Sequence, residues 1–182
     1  MTQYWSDLLP SMPADRAWNI NQYGPVLQAN KAHFWASCSR VGVRGAMCAL
    51  LLAMAMLETN TLSPAERDTS KDGREDGAEN LSMFNLNVDM VRRLGYQGED
   101  PRELNAPDAL PAVIGYLDLG ARKWGVDRML NYVRGGWTAF IDGYSYGAWS
   151  YRNAVATILR RFDADPELLY DDRRVDVHLE HV

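Results

Sequence analysis

The longest apolar stretch of the chain covers residues 46–57 and consists almost entirely of Ala, Leu and Met. A helix that is apolar on every side is typical of the centre of a folded domain. The pattern therefore predicts a buried central helix over residues 44–58. A helix that spans a bilayer needs about 20 apolar residues, so this stretch is too short for a membrane span. We expect no association with a membrane.

Helical spacing of apolar residues between Gly and Pro breakers predicts five further helices. They cover residues 25–38, 88–94, 109–124, 128–133 and 145–161. We expect Asp108 to be the N-cap of the third of these helices and Asp127 the N-cap of the fourth. Gly135 and Gly136 are expected to end the fourth helix. Residues 137–143 predict a short link, and residues 175–182 predict a short strand. Residues 1–24 show no clear period, which predicts an irregular arm packed on the body.

A long polar segment follows the central helix. Residues 59–79 hold nine charged side chains and show neither a helical nor a strand period. We expect this polar segment to form a small irregular hairpin, and residues 80–87 then alternate between polar and apolar positions. The expected fold class is α+β and mostly helical, with a small polar β-hairpin lobe after the central helix. We expect a single domain over residues 1–182.

The amino-acid composition and the net charge exclude some classes of function. The chain has 182 residues, 47% hydrophobic and 24% charged, which is typical of a globular domain. Its net charge of −5 argues against a nucleic acid as partner, because phosphate binding needs a basic surface. Six Trp and nine Tyr provide flat surfaces that suit sugar rings. The sequence contains no glycine-rich motif that binds nucleotide phosphates, and we expect no cofactor. We also expect a monomer.

The two cysteines and the first residues bear on the cellular compartment. Two cysteines cannot form a disulfide scaffold, and Cys38 and Cys48 either bridge neighbouring helices or remain free. Residues 1–15 lack the charged start and apolar run of a secretory signal. The sequence therefore predicts a cytoplasmic protein, or a secreted one if a signal has been removed.

Glu58 is the leading candidate for chemistry. It ends the apolar helix, where burial and the negative end of the helix dipole are both expected to raise the pKa of its carboxyl. A carboxylic acid that stays protonated near neutral pH can act as a general acid in glycosidic cleavage. The segment that follows is rich in Asp and Glu, and glycoside hydrolysis needs a second, solvated carboxylate. The alternative is that Glu58 simply ends its helix at the surface.

These residues resemble a known family. Glu58-Thr59-Asn60, then Lys71-Asp72-Gly73, then residues 76–87 are similar to the inverting endo-β-1,4-mannanases of the lysozyme superfamily. The resemblance implies a lysozyme-like fold, with Glu58 as the acid and Asp72 as the base. The interval from Glu58 to Asp72 is a little longer than the corresponding interval in the family, so Asp68 is an alternative candidate for the base. Leu81 and Ser82 depart from the family pattern, which has an aromatic residue and Gly there.

Further side chains are candidates for substrate binding. They are Asn60, Asn80, Ser82, Asn87, Arg134 and Tyr144. Asn87 could equally be the N-cap of the helix that starts at Val88. Arg134 could bind a substrate hydroxyl or a carboxylate of the fold. We expect no metal site, because a charged tail accounts better than a metal for Asp176, His178 and Glu180.

The pattern as a whole predicts a glycoside hydrolase that cleaves internal β-1,4 linkages of a polysaccharide, mannan above all, by an inverting mechanism. The alternatives are a peptidoglycan muramidase or lytic transglycosylase, and a non-catalytic carbohydrate-binding protein of the same fold. A transglycosylase needs one acid only, so Asp72 would be dispensable in that case. The expected partner in every case is a polysaccharide or an oligosaccharide.

Overall fold

The computed structural model describes residues 4–10, 12, 16–63 and 80–178, with the backbone alone at Asn80. Within these residues the helices are α1 (Pro25–Arg40), α2 (Gly45–Glu58), α3 (Val88–Arg93), α4 (Leu110–Trp124), α5 (Val126–Asp142) and α6 (Tyr146–Ala164). Strands β1 (Trp18–Gln22), β2 (Asn80–Leu81), β3 (Leu86–Asn87) and β4 (Arg173–Val177) form two antiparallel pairs. Short 3₁₀ helices cover Trp5–Leu8, Pro101–Asn105, Pro107–Ala109 and Pro166–Leu169. The prediction of a mostly helical α+β chain is confirmed.

Helix α2 lies at the centre of the core, as predicted. Its side chains from Cys48 to Met56 are at most 1% exposed. Ala, Leu and Met are strong helix formers, and α1, α4, α6 and β4 surround the helix closely enough to bury all of its faces. The helix therefore carries Glu58 from the middle of the core to the surface.

A disulfide between Cys38 and Cys48 joins the end of α1 to the start of α2. The two Cα atoms lie 6.2 Å apart, and both side chains are fully buried. Of the two states that the sequence left open, the structure has the bridged one. The bridge closes a loop with a sequence separation of ten residues, and it fixes the start of α2 against the end of α1.

Strands β1 and β4 pair from Trp18 opposite Val177 to Gln22 opposite Arg173. The prediction of a wholly irregular N-terminal arm is therefore wrong, because residues 18–22 of the arm form a strand. The predicted C-terminal strand exists but begins at Arg173, and residues 179–182 lie outside the described part. The arm's strand is stabilised by a partner about 150 residues away, which a local pattern does not reveal.

Helix α5 corrects another prediction. The chain does not form a link after Gly135 and Gly136, because the helix resumes and runs on to Asp142. Gly136 alone leaves the helical region, with φ 66° and ψ −161°, and it breaks the helix without ending it. A left-handed φ of this kind is open to Gly at little cost.

Two predicted N-caps are also wrong. Asp127 lies in the first turn of α5, whose N-cap is Gly125, and its carboxylate accepts a hydrogen bond from Nη1 of Arg152 at 3.0 Å. Asp108 lies in the 3₁₀ turn before α4 and does not cap that helix. Among the described residues, no helix is both long and apolar enough to cross a membrane.

Candidate active site

The exit from α2 is fixed by Thr59. Its backbone N–H and its hydroxyl both donate to the carbonyl oxygen of Ala55, at 3.0 and 2.9 Å. The hydroxyl oxygen also accepts a hydrogen bond from the N–H of Leu62 at 3.2 Å. Asn30 on α1 holds the next part of the loop, because its Nδ2 donates to the carbonyl of Thr61 at 2.7 Å. Glu58 is thus held at a rigid helix end, although it lies beside the surface.

A polar cavity of about 310 Å³ opens at this helix end. It is lined by Leu57, Glu58, Thr59, Asn60 and Arg174. Glu58 is half-buried and Asn60 is exposed. Two of the predicted site residues therefore share one cavity, and Arg174 reaches that cavity from a distant part of the chain.

Arg174 on β4 is the functional candidate that the sequence analysis missed. Its Nη2 donates to the carbonyl oxygen of Met56, and its Nη1 donates to Oδ1 of Asp176 and to the hydroxyl of Tyr23. Its side chain is only 11% exposed. Its Nε is buried without a hydrogen-bond partner among the described residues. Arg174 therefore closes the last turn of α2 and places a guanidinium group in the wall beside Glu58.

A second polar cavity, of about 350 Å³, lies between the β2–β3 turn and α5. Its wall is formed by Asn85, Asn87, Tyr132, Val133, Arg134, Gly135 and Gly136. Asn87 and Arg134, both predicted to bind substrate, meet there. Asn87 is also the N-cap of α3, since its Oδ1 accepts a hydrogen bond from the N–H of Asp89 at 2.8 Å. The capping role that the sequence left open is confirmed, and Asn87 lines a cavity as well.

The wall of the second cavity is held by a hydrogen bond between α3 and α5. The hydroxyl of the fully buried Tyr132 donates to Oδ2 of Asp89 at 2.5 Å, and Nε of Arg93 donates to the same oxygen at 2.8 Å. The hydrogen bonds from Arg93 and Tyr132 lower the pKa of the Asp89 carboxyl. Burial, followed by the hydrogen bond to Asp89, raises the pKa of Tyr132. Asp89 therefore stays ionised and holds Tyr132 in place.

Ser82 and Tyr144 lie outside both cavities. Ser82 is 5% exposed, with φ 61°, and its hydroxyl oxygen accepts a hydrogen bond from the N–H of Phe84 at 3.2 Å. Its own N–H donates to Oδ1 of Asn105 at 2.7 Å. Tyr144 is 58% exposed in the connection between α5 and α6. The backbone of Asn80 pairs with that of Asn87.

The predicted base and its competitor lie outside the described residues, since Asp72 and Asp68 fall within residues 64–79. In the tail, Asp176 accepts hydrogen bonds from Arg174 and from Nδ2 of Asn21. Glu180 lies outside the described residues. Within the described part, no three His, Cys, Asp or Glu side chains are grouped as metal ligands would be.

Comparison with known proteins adds no assignment. No protein-family model matches the chain, and no curated protein matches its sequence significantly. The site must therefore be interpreted from its own residues.

Two further residues of the cavities escaped the sequence analysis. Asn85 and Tyr132 line the second cavity, and Asn85 has a left-handed backbone with φ 57°. The pattern of residues 80–87 contains a signal for Asn85, because Asn tolerates this conformation better than most residues. Nothing in the local sequence signals Arg174 or Tyr132, because each reaches its cavity through contacts between distant segments.

Proposed function

We propose that this protein is a glycoside hydrolase that cleaves internal β-1,4 linkages of a polysaccharide, with mannan as the first candidate. One observation carries the proposal. Glu58 ends helix α2, whose middle is fully buried from Cys48 to Met56, and lines a polar cavity together with Asn60 and Arg174. A carboxyl group on a rigid element beside an open cavity can meet a glycosidic oxygen in a fixed geometry.

In the proposed mechanism Glu58 donates its proton to the oxygen of the leaving sugar as the bond from that oxygen to the anomeric carbon breaks. A water molecule attacks the anomeric carbon from the opposite face and loses a proton to Asp72. The two carboxyl groups of inverting enzymes lie about 6.5–9.5 Å apart, which leaves room for this water. Both sugar fragments leave neutral, and the two carboxyl groups have exchanged protonation states.

Arg174 supports the acid role through its position. Its bond to the carbonyl of Met56 satisfies one of the acceptors that the end of a helix leaves open. Its charge is largely compensated by Asp176, so the cavity does not carry an unbalanced cation. Arg174 thus fixes the helix end that carries Glu58 without any contribution from substrate.

The test is incubation of the purified protein with mannan, chitosan, chitin and peptidoglycan, followed by analysis of the released fragments. The expected result is a series of short manno-oligosaccharides whose first anomer, seen by NMR before mutarotation, is α. An early β-anomer would contradict a direct displacement by water. Anhydro-sugar products from peptidoglycan would support a lytic transglycosylase instead, and binding without release of fragments would support a non-catalytic carbohydrate-binding protein.

A further inference from the structure

A third cavity, of about 450 Å³, lies between α4 and the segment that connects α3 to it. We propose that this cavity binds a primary alkylammonium group, either one end of a free aliphatic amine or the side chain of a lysine. None of the described residues of its wall lines the cavity at Glu58 or the cavity at Arg134. The proposal goes beyond the hydrolase function and does not depend on it.

The first support is the charge of the wall. Glu103 and Asp108 line the cavity from the 3₁₀ helices that precede α4. No Lys, Arg or His belongs to the described wall, and neither carboxylate forms an ion pair with a described residue. The neighbouring Arg102 pairs with Asp100 instead, at 3.5 Å. Two carboxylates without a compensating cation in the wall favour a positively charged ligand.

The second support is the fixed position of one of these carboxylates. The hydroxyl of Tyr96, which is 6% exposed, donates to Oε1 of Glu103 and to the carbonyl oxygen of Asp100, both at 2.9 Å. Burial, followed by the hydrogen bond to Glu103, raises the pKa of Tyr96 to about 12, so the hydroxyl stays a donor. Glu103 is therefore oriented before a ligand binds, which lowers the cost of binding.

The backbone at Gly98 packs directly on this hydrogen bond. A Cβ atom at position 98 would lie 2.1 Å from Oη of Tyr96 and 2.5 Å from Oε1 of Glu103. Both distances are far below van der Waals contact. Only glycine therefore fits at position 98 without a displacement of the hydroxyl or the carboxylate.

The third support is the apolar part of the wall. Ala106, Ala109 and Ala112 have short side chains and line the cavity beside two tyrosine rings. Tyr96 and Tyr116 meet edge to face, with ring centroids 6.3 Å apart and ring planes at 88°. Such a wall suits an aliphatic stem that ends in a charged group. A hydrated metal ion would not use it, and the described residues hold no group of three metal-ligating side chains.

The donors of the ligand follow from the acceptors of the wall. A primary ammonium carries three N–H donors, and a carboxylate is an acceptor only. A quaternary ammonium has no donor and depends on the faces of aromatic rings. The guanidinium of Arg92 already lies over the ring of Tyr96, 5.6 Å from its centroid. We therefore expect primary amines to bind more tightly than tetramethylammonium.

The experiment titrates the full chain by calorimetry at neutral pH and about 0.15 M salt, where weak attraction at long range is screened. Cadaverine represents a free amine, and the methylamide of Nα-acetyl-lysine represents a lysine side chain. Tetramethylammonium, 1-pentanol and Ca²⁺ are the comparison ligands. The amide NMR shifts of Ala106, Ala109 and Ala112 report where each ligand binds.

Two variants remove one charge each from the wall, Glu103→Gln and Asp108→Asn. Both positions are exposed, and the amide keeps the shape of the side chain, so the variants should fold. Glu99→Gln is the matched control, because Glu99 is exposed and is not part of the described wall. It lowers the net charge of the protein by the same amount.

The proposal predicts that both primary amines bind saturably and shift the three alanine amides. Each wall variant should weaken their binding about tenfold, and the double variant should weaken it further, with no change for Glu99→Gln. Whichever of the two amines binds more tightly identifies the source of the ammonium group, and either order supports the site. Three results would overturn the proposal: no saturable binding, unchanged affinity in the double variant, or binding of 1-pentanol, tetramethylammonium or Ca²⁺ as tight as that of the amines.

Discussion

Arg174 donates a hydrogen bond from Nη2 to the carbonyl oxygen of Met56, two residues before the proposed acid Glu58. The bond connects β4 to the last turn of α2 across 118 residues of sequence. A residue near the end of the described chain therefore helps to hold the position at which we place the chemistry. This relationship leads to the first of five predictions.

We expect Arg174→Met to lower the free energy of unfolding by about 1–3 kcal/mol, because it removes the ion-pair partner of Asp176 and the donor to the carbonyl of Met56. Arg174→Lys keeps the charge and should recover part of the loss. The measurement is urea unfolding followed by circular dichroism. A double variant with Asp176→Asn should be less destabilised than the two single effects together, since the unpaired carboxylate is also removed. Additive effects would contradict a direct pairing.

Glu58→Gln should lower turnover on the cleaved polysaccharide about 10²–10⁴-fold, because the amide keeps the shape of the side chain but cannot donate the proton. Its unfolding midpoint should stay near that of the unmutated protein. Glu99→Gln, at an exposed loop position, is the matched control and should leave turnover unchanged. A Glu58→Gln protein with normal turnover would remove Glu58 from the acid role.

Asp72→Asn should suppress turnover strongly if Asp72 is the base that accepts the proton of water. Asp68→Asn is the competing variant, and only one of the two should have the large effect. The measurement is the initial rate on whichever polysaccharide the fragment assay shows to be cleaved. Normal rates in both variants would contradict the two-carboxylate mechanism and favour a transglycosylase, which needs a single acid.

Lys31 predicts a rise of stability at alkaline pH. The side chain is fully buried on α1, and its Nζ donates to the carbonyls of Leu168 and Arg173 at 2.7 and 2.5 Å. Burial lowers the pKa of Lys31 from 10.5 to about 8, against the opposing effect of Asp171 at 3.7 Å. Between these two pH values the unfolded chain holds a proton that the folded chain has released. The free energy of unfolding should therefore increase across this interval, by an amount on the order of 3 kcal/mol.

Urea unfolding at several pH values between 7.5 and 10.5 tests this expectation. Lys31→Met should lack the increase, and it should be less stable at pH 10 because two buried carbonyls lose their donor. Lys123→Met, at an exposed position on α4, should keep the pH dependence of the unmutated protein. Identical pH curves for the Lys31 variant and the unmutated protein would show that Lys31 keeps its ordinary pKa.

The Cys38–Cys48 disulfide gives the fifth prediction. Closure of a ten-residue loop should stabilise the fold by about 2–3 kcal/mol, so that reductant or Cys38→Ala/Cys48→Ala lowers the free energy of unfolding by that amount. Thiol titration of the denatured, unreduced chain should find no free thiol. Two free thiols per chain would mean that the cysteines are unbridged in the purified protein.

The helices could be predicted from the sequence where a local pattern decides them. The apolar run of α2 predicts its burial, and Ser145 marks the start of α6, where its hydroxyl oxygen accepts from the N–H of Ala148 at 3.1 Å. Local signals failed in α5. Two adjacent glycines usually end a helix, but here the aromatic contacts of Trp137 and Phe140 with Tyr132 keep the chain helical beyond them.

The candidate site could be predicted only in part, because local sequence patterns reveal residues at helix ends but not contacts between distant segments. Glu58 and Asn87 lie at helix ends, and each could be recognised from its immediate neighbours. Arg174 and Tyr132 reach the two cavities through pairing of β1 with β4 and packing of α5 on α3. Such long-range contacts depend on the whole chain, and a single sequence contains no local record of them.

The β1–β4 pairing also has a consequence for the order in which the site can form. During synthesis the N-terminal part of the chain emerges first, so α2 and its buried neighbours can begin to pack while β4 is still unmade. The wall of the cavity beside Glu58 can form only after Arg174 has emerged and β4 has paired with β1. Closing so long a loop is slow in comparison with local helix formation. The cavity wall is therefore expected to assemble later than the helices around α2, and a nascent chain would hold its proposed acid in an open site until β4 has been made.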